Sequence, residues 1–203
     1  MLSLSQYLDS PHTTHLDAVK QIFKYLAGTK HLYLVLGGHC LDPGEKTTGV
    51  LGFSDADWVS HLHCHLISGF AFFVGTGVVS WSAKKQLIVT LSSTESDYVA
   101  LTHAMKDIIW IHKLLNELSF LYNYQPPTTL YCDNQDAIDL SKNSCFHARM
   151  KHIDVHFHFV CQAVNQNQIQ IKYIPTNEMV ADIFMKSLGR VKFEGFCELL
   201  NVV

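Results

Sequence analysis

VLGFSDADW, residues 50–58, is the stretch on which the fold turns. In an extended segment successive side chains alternate, so Leu51, Phe53 and Asp55 share one side, with the carboxylate at the strand's end. Downstream, GFAFFVG and VVSWSA read as two strands joined at Gly75-Thr76-Gly77, and LIVTLS (87–92) is expected to extend the sheet. Ser92 with Glu95 three residues on fits a capping box. It opens a helix to about Leu118 whose buried face carries Val99, Thr102, Met105, Ile109, His112 and Leu115. Past the Pro126-Pro127 linker, TTLYCDN reads as a short buried strand and QDAIDLSKN as a short helix. A further helix spans about Lys151 to Val164, IQIKYI alternates as a strand, and Asn177 caps a last helix through Phe184 and Lys186. Upstream, Leu16, Val19, Ile22, Phe23 and Leu26 make one helical stripe that Gly28 would cap, His31 to Leu36 reads as a strand, and 37–47 as a loop. Strand, hairpin, long helix, strand, helix, strand, helix is an α/β order.

Of the 203 residues, 48% are hydrophobic and 16% charged, and the net charge is −3, so most of the chain is expected to fold. That balance disfavours a strongly basic protein that coats nucleic acid, whereas it allows an enzyme with acidic metal ligands, whose carboxylates subtract from the net charge. The only arginines are Arg149 and Arg190. Cys40, Cys64, Cys132, Cys145, Cys161 and Cys197 form no CxxC pair, and no basic stretch followed by an apolar core opens the chain. Free thiols and an intracellular setting, cytoplasmic or nuclear, are expected. No apolar run reaches the roughly 18 residues of a membrane span.

Asp55, Glu95, Asp133 and Asp182 each stand at an element boundary. Carboxylates at the ends of adjacent strands can converge on one crevice of an α/β sheet, and their mutual repulsion is relieved by a hard cation. An acid at a strand end or helix start is also an ordinary turn former or cap, and spacing alone leaves both readings open.

The order of motifs goes further. GFSDADW (52–58), SGFAFF (68–73), VVSWSAKKQ (78–86), VTLSSTESDYVAL (89–101), LYCDNQDAI (130–138), HARMKHIDVHFHFV (147–160) and NEMVADIFMK (177–186) together resemble the ribonuclease H region of a copia-type retrotransposon Pol polyprotein. YLDSPHTTHLDAVKQIFKYLAGT (7–29) resembles the tail of the reverse transcriptase before it. The resemblance implies a ribonuclease H-like fold, a five-stranded mixed sheet with helices on both faces. It divides the chain into a reverse transcriptase remnant (1–36), a linker (37–47), the ribonuclease H-like domain (48–188) and a C-terminal tail (189–203). It implies that Asp55, Glu95, Asp133 and Asp182 are the catalytic ligands of two Mg²⁺ ions, or Mn²⁺, which serve to cleave the RNA strand of an RNA–DNA hybrid. Other parts of the retrotransposon polyprotein are the further partners it implies.

Around that set, the adjacent Lys84 and Lys85, with Gln86, are either simply solvated or, within the fold the resemblance implies, able to touch phosphates, and Ser93, Asn134 and Gln135 are able there to donate hydrogen bonds near the scissile strand. Arg149, Lys151 and His152 form the one cluster of positive charge, a substrate surface or a polar helix start. Asp57 reads as a supporting residue, Trp58 and Trp81 as core aromatics, and Asp97 as solvent-exposed, two positions from Glu95 and so on another side of the helix. His152 with His156, and His61, His63 and His65 around Cys64, are incomplete zinc patterns. The stretch VSHLHCHLISG (59–69) carries no lysine or arginine where the family has a basic segment, and the last loop, YIPTNEM, lacks the histidine of many cellular ribonucleases H. Three readings follow: a metal-dependent hybrid nuclease, a catalytically silent module of the same fold that binds nucleic acid or protein, and a zinc-bound structural module.

Overall fold

Residues 4–36, 49–57, 66–118, 127–142 and 154–203 are described by a computed structural model. Five strands form one sheet: β1 (Val50–Asp57), β2 (Ile67–Val74), β3 (Gly77–Lys85), β4 (Thr128–Cys132) and β5 (Ile169–Tyr173), in the order β3-β2-β1-β4-β5. The first three run antiparallel through the hairpin at Gly75, whose φ of 62° is the left-handed value glycine accepts without strain. β4 and β5 run parallel to β1, and α2 (Ser93–Glu117) makes the crossover between the two halves. The expected five-stranded mixed sheet is the one observed.

Strand alternation builds two cores. Val50, Phe70, Phe72 and Leu130 face α2, α3 (Gln135–Lys142) and α4 (Asp154–Asn165), where Tyr98, Leu101, Met105, Ile108, Ile138, Phe157 and Val160 are buried. Leu51, Phe53, Ala71 and Phe73 face the other way, onto Met179, Val180, Ala181, Phe196 and Leu200. This second cover is made by short 3-10 turns at Thr176–Glu178 and Val180–Phe184 and by α5 (Arg190–Leu199). The expected single helix from Asn177 does not form. Met179, at φ −72° and ψ 96°, is extended and breaks the chain into turns. The stretch read as a C-terminal tail contains α5.

Gly69 decides how closely that cover approaches. A Cβ there would lie 2.7 Å from Cγ and Sδ of Met185 and 3.2 Å from the carbonyl oxygen of Ala181. The Val180–Phe184 turn therefore lies directly on β2, opposite Asp55, with which Gly69 is in register. Gly69→Ala is expected to destabilise the protein by about 1 kcal/mol through overpacking, with Met185 giving way in part. Chemical denaturation reads the shift, and an unchanged midpoint would show that the turn is not seated this tightly.

Three local expectations are corrected. Residues 87–92 do not extend the sheet: Leu87, Val89 and Leu91 are exposed, and the Leu91 N–H is taken by the Glu95 carboxylate rather than by a strand. His31 to Leu36 makes only one bridge, Leu34 to Val202, with Tyr33 and Val203 exchanging backbone hydrogen bonds. Trp81 is not in a core but 52% exposed, on the edge strand β3. α1 (Thr13–Gly28) carries the expected helix, yet none of its residues is buried. Cys132, Cys161 and Cys197 are free thiols. Among the described residues no helix is long and apolar enough to cross a membrane. Trp58, the histidines 61, 63 and 65, Cys40, Cys64, Cys145, Arg149, Lys151 and His152 lie outside the described residues.

Candidate acidic active site

The parallel pairing of β1 with β4 sets Phe53 opposite Tyr131, so Asp55 and Asp133 come level at the C-terminal ends of neighbouring strands. Between those ends and the first turns of α2 and α3 is a cleft of about 400 Å³. Asp55, Asp57, Ser93, Asp97, Asp133, Asn134, Gln135, Asp136 and Lys186 line it. Asp182 joins from the turn seated on Gly69: Lys186 Nζ donates to Asp55 Oδ2 and to Asp182 Oδ1, each at 2.7 Å. Lys192 Nζ donates to the other oxygen of Asp182 at 2.8 Å and to the Thr176 carbonyl at 3.1 Å. Thr176 Oγ1 in turn donates to Asp133 Oδ2 at 2.7 Å.

Glu95 does not enter this cleft. Its backbone N–H donates to Ser92 Oγ at 3.2 Å, and its Oε2 accepts the Leu91 N–H at 2.7 Å. The carboxylate is turned back along the chain as a capping box directs it, one residue beyond the cap. Asp97, rather than the Glu95 that the resemblance implies, lines the cleft, and the expectation that it is exposed is wrong. It is 6% exposed because the start of α2 lies against β1. Ala56 N–H donates to its Oδ1 at 3.1 Å, and Asn134 Nδ2 to its Oδ2 at 2.7 Å. Asn134 also accepts the Ala137 N–H at 3.1 Å, so one side chain caps α3 and fixes Asp97. The signal for Asp97 was in SSTESDY: a glutamate spent on a cap leaves the next acid to face the sheet.

Of the expected substrate contacts, Ser93, Asn134 and Gln135 line the cleft. Lys84 instead lines a second cleft with Ser82, His103 and Lys106, and Lys85 ends β3 opposite Ile67. Gln86 is buried, its amide donating to Ser68 Oγ at 2.8 Å and to the Ser96 carbonyl at 2.9 Å.

The charges are strained toward a cation. Burial pushes the Asp55 carboxyl up to about 8, against the pull of Lys186 and with Asp133 and Asp182 adding to the rise. Burial likewise raises Asp97 to about 6, although the Asn134 and Ala56 hydrogen bonds oppose it. Burial works to raise Asp182 as well, but its hydrogen bonds with Asp55, Lys186 and Lys192 prevail and hold it below the usual range. Among the described residues no three acidic, histidine or cysteine side chains stand ready to hold a metal ion. The reason is visible: an ammonium already bridges two of the carboxylates, and Asp97 is turned onto its hydrogen bonds. The donor set is all carboxylate oxygen and already accommodates one cation, which fits Mg²⁺ or Mn²⁺ rather than zinc.

No family model matches the chain. It is 39% identical over 200 residues to the retrovirus-related Pol polyprotein from transposon TNT 1-94 of Nicotiana tabacum, which covers 98% of this chain and 14% of that protein. It is 35% identical over 201 residues to the Pol polyprotein from transposon RE2 of Arabidopsis thaliana, covering 98% of this chain and 13% of that one. The chain belongs to the copia-type retrotransposon Pol family. Its five-stranded mixed sheet is ribonuclease H-like, and the chain spans about a seventh of the length of these relatives. Among solved structures, the N-terminal RNase H domain of a Mycobacterium tuberculosis protein, determined as a fusion with maltose-binding protein, superposes at a TM-score of 0.49. It is 11% identical, and the match covers 74% of this Pol segment and 97% of that chain.

Proposed function

We propose that this Pol segment is a metal-dependent endonuclease that cleaves the RNA strand of RNA–DNA hybrids. The observation that carries the reading is the convergence of Asp55, Asp97, Asp133 and Asp182 around one open cleft where parallel strands end. Those four carboxylates would hold two Mg²⁺ or Mn²⁺ ions, which when bound supply an activated water and stabilise the leaving 3′ oxygen.

The remaining parts belong to the chain. Asn134 orients Asp97, and Thr176 orients Asp133. Ser93 and Gln135 stand in the first turns of two helices that open onto the cleft, where free backbone N–H groups favour a phosphate. Hybrid binding is expected to be weak and strongly salt-dependent, since the chain is net acidic.

The test is cleavage of end-labelled hybrid in Mg²⁺, Mn²⁺ or EDTA, beside single-stranded RNA and duplex DNA. The RNA strand of the hybrid is expected to be cut in either metal and left whole in EDTA. Hybrid binding by the folded protein without metal-dependent cleavage would instead establish the silent module.

A further inference from the structure

Lys186 brings into the cleft a positive charge that the proposed chemistry leaves without a task. Its Nζ stands 2.7 Å from Asp55 Oδ2 and 2.7 Å from Asp182 Oδ1, and those two carboxylates are 4% and 2% exposed. Two acids so buried and so close repel unless a cation lies between them or one of them keeps a proton. Lys192 differs: it reaches Asp182 and the Thr176 carbonyl, without bridging to Asp55. Lys186 is therefore the group that stands where the carboxylates of β1 and of the last turn would both meet a metal. Its side chain is 29% exposed and sits at the cleft's edge on a flexible stem, so the ammonium can withdraw into water without disturbing the fold.

We propose that Lys186 is the resident counter-cation of the site, holding Asp55 and Asp182 together in the metal-free protein and giving up that place when a divalent ion binds. Metal loading is then an exchange of cations, and Lys186 sets how readily it happens. The proposal rests on the reading of the cleft as a metal site.

The experiment compares the wild-type chain with Lys186→Met, Lys186→Arg and Lys192→Met by thermal melts in EDTA and by calorimetric titration with Mn²⁺. In EDTA, Lys186→Met is expected to melt several degrees below both the wild type and Lys192→Met, and Mn²⁺ to restore most of the loss. Its affinity for Mn²⁺ is expected to rise at least tenfold, because no ammonium competes. Lys186→Arg keeps the charge and can grip a carboxylate with two parallel hydrogen bonds. It is expected to fold like the wild type and to bind Mn²⁺ several-fold more weakly, which keeps the test alive should the Met variant not fold. Unchanged Mn²⁺ affinity in Lys186→Arg and in whichever Met variant folds would overturn the exchange, as would weaker binding by Lys186→Met. Absence of saturable Mn²⁺ binding in every variant would overturn the metal reading itself, while the melts in EDTA would still decide whether Lys186 is the counter-cation.

Discussion

Asp97→Asn is expected to slow hybrid cleavage by about 10³-fold, roughly 4 kcal/mol of lost transition-state stabilisation, while leaving the fold intact. An asparagine can still accept the Ala56 N–H through its oxygen, so the start of α2 stays on β1, although its amide nitrogen then faces the Asn134 Nδ2 donor and that hydrogen bond is given up at a modest cost in melting temperature. What is lost is a charged oxygen donor in the cleft. Glu95→Gln is expected to change the rate by no more than a few-fold, because glutamine can still accept the Leu91 N–H and serve the cap. Single-turnover cleavage of a labelled hybrid by the two variants, with melting curves alongside, separates the roles. A reversed outcome, with Glu95→Gln inactive and Asp97→Asn active, would return the ligand role to Glu95.

In EDTA the protein is expected to lose about 1 kcal/mol of stability between pH 7 and 8.5, and saturating Mg²⁺ to remove that loss. The sign follows from Asp55, whose carboxyl is raised from 3.8 to about 8 in the folded chain. A group with a raised folded value contributes stability that is complete below its unfolded value and is lost as pH climbs through the folded one. Asp97 acts in the same direction but is spent by about pH 6. Burial lowers His103 to about 4, so its contribution is present above about pH 6.5 and lost below. His112 and His156 are lowered too and act the same way. Asp182 is lowered from 3.8 and contributes only at still lower pH. Above about pH 7 the unfolded imidazoles are largely neutral and their opposing contribution is nearly complete, so that interval reports mainly Asp55, with the raised thiols of Cys161 and Cys197 adding in the same direction as pH nears 9. Melting curves across it with EDTA and with Mg²⁺ decide the matter: a flat EDTA profile would mean that Asp55 carries no excess proton.

The sheet was legible from residues because its signals are local. Alternation in VLGFSDAD and TTLYC, the Gly75 turn and the Ser92 cap each act within a few positions, and all lie where expected. The last segment differs from the expected helix because Met179 is extended and breaks it into turns, while Gly69, more than a hundred residues earlier, lets VADIF sit directly on β2. Asp55 and Asp133 could be placed from their strands alone. Asp97 could not, since its burial depends on how the start of α2 meets β1, and counting positions around a helix says nothing about which side finds a sheet. In the sequence Lys186 is only the last residue of NEMVADIFMK. Its role appears only when Asp55 and Asp182 are seen to approach one another.

The Lys186–Asp55 contact joins residues 131 positions apart in the chain. Closing so long a loop is among the last gains available to a folding polypeptide, because its entropy cost falls due before the contact gives anything back. The half of the cleft made by the last turn is thus tied to the completed sheet, whereas Asp97 and Asn134 are fixed by nearer neighbours. Detachment of residues 176–199 alone would free Asp55 from its partner and leave the first core and most strand pairing standing. Backbone amides around Asp182 will accordingly exchange with solvent sooner than those of Leu130 or Met105, so the site can come apart and re-form while the domain stays folded.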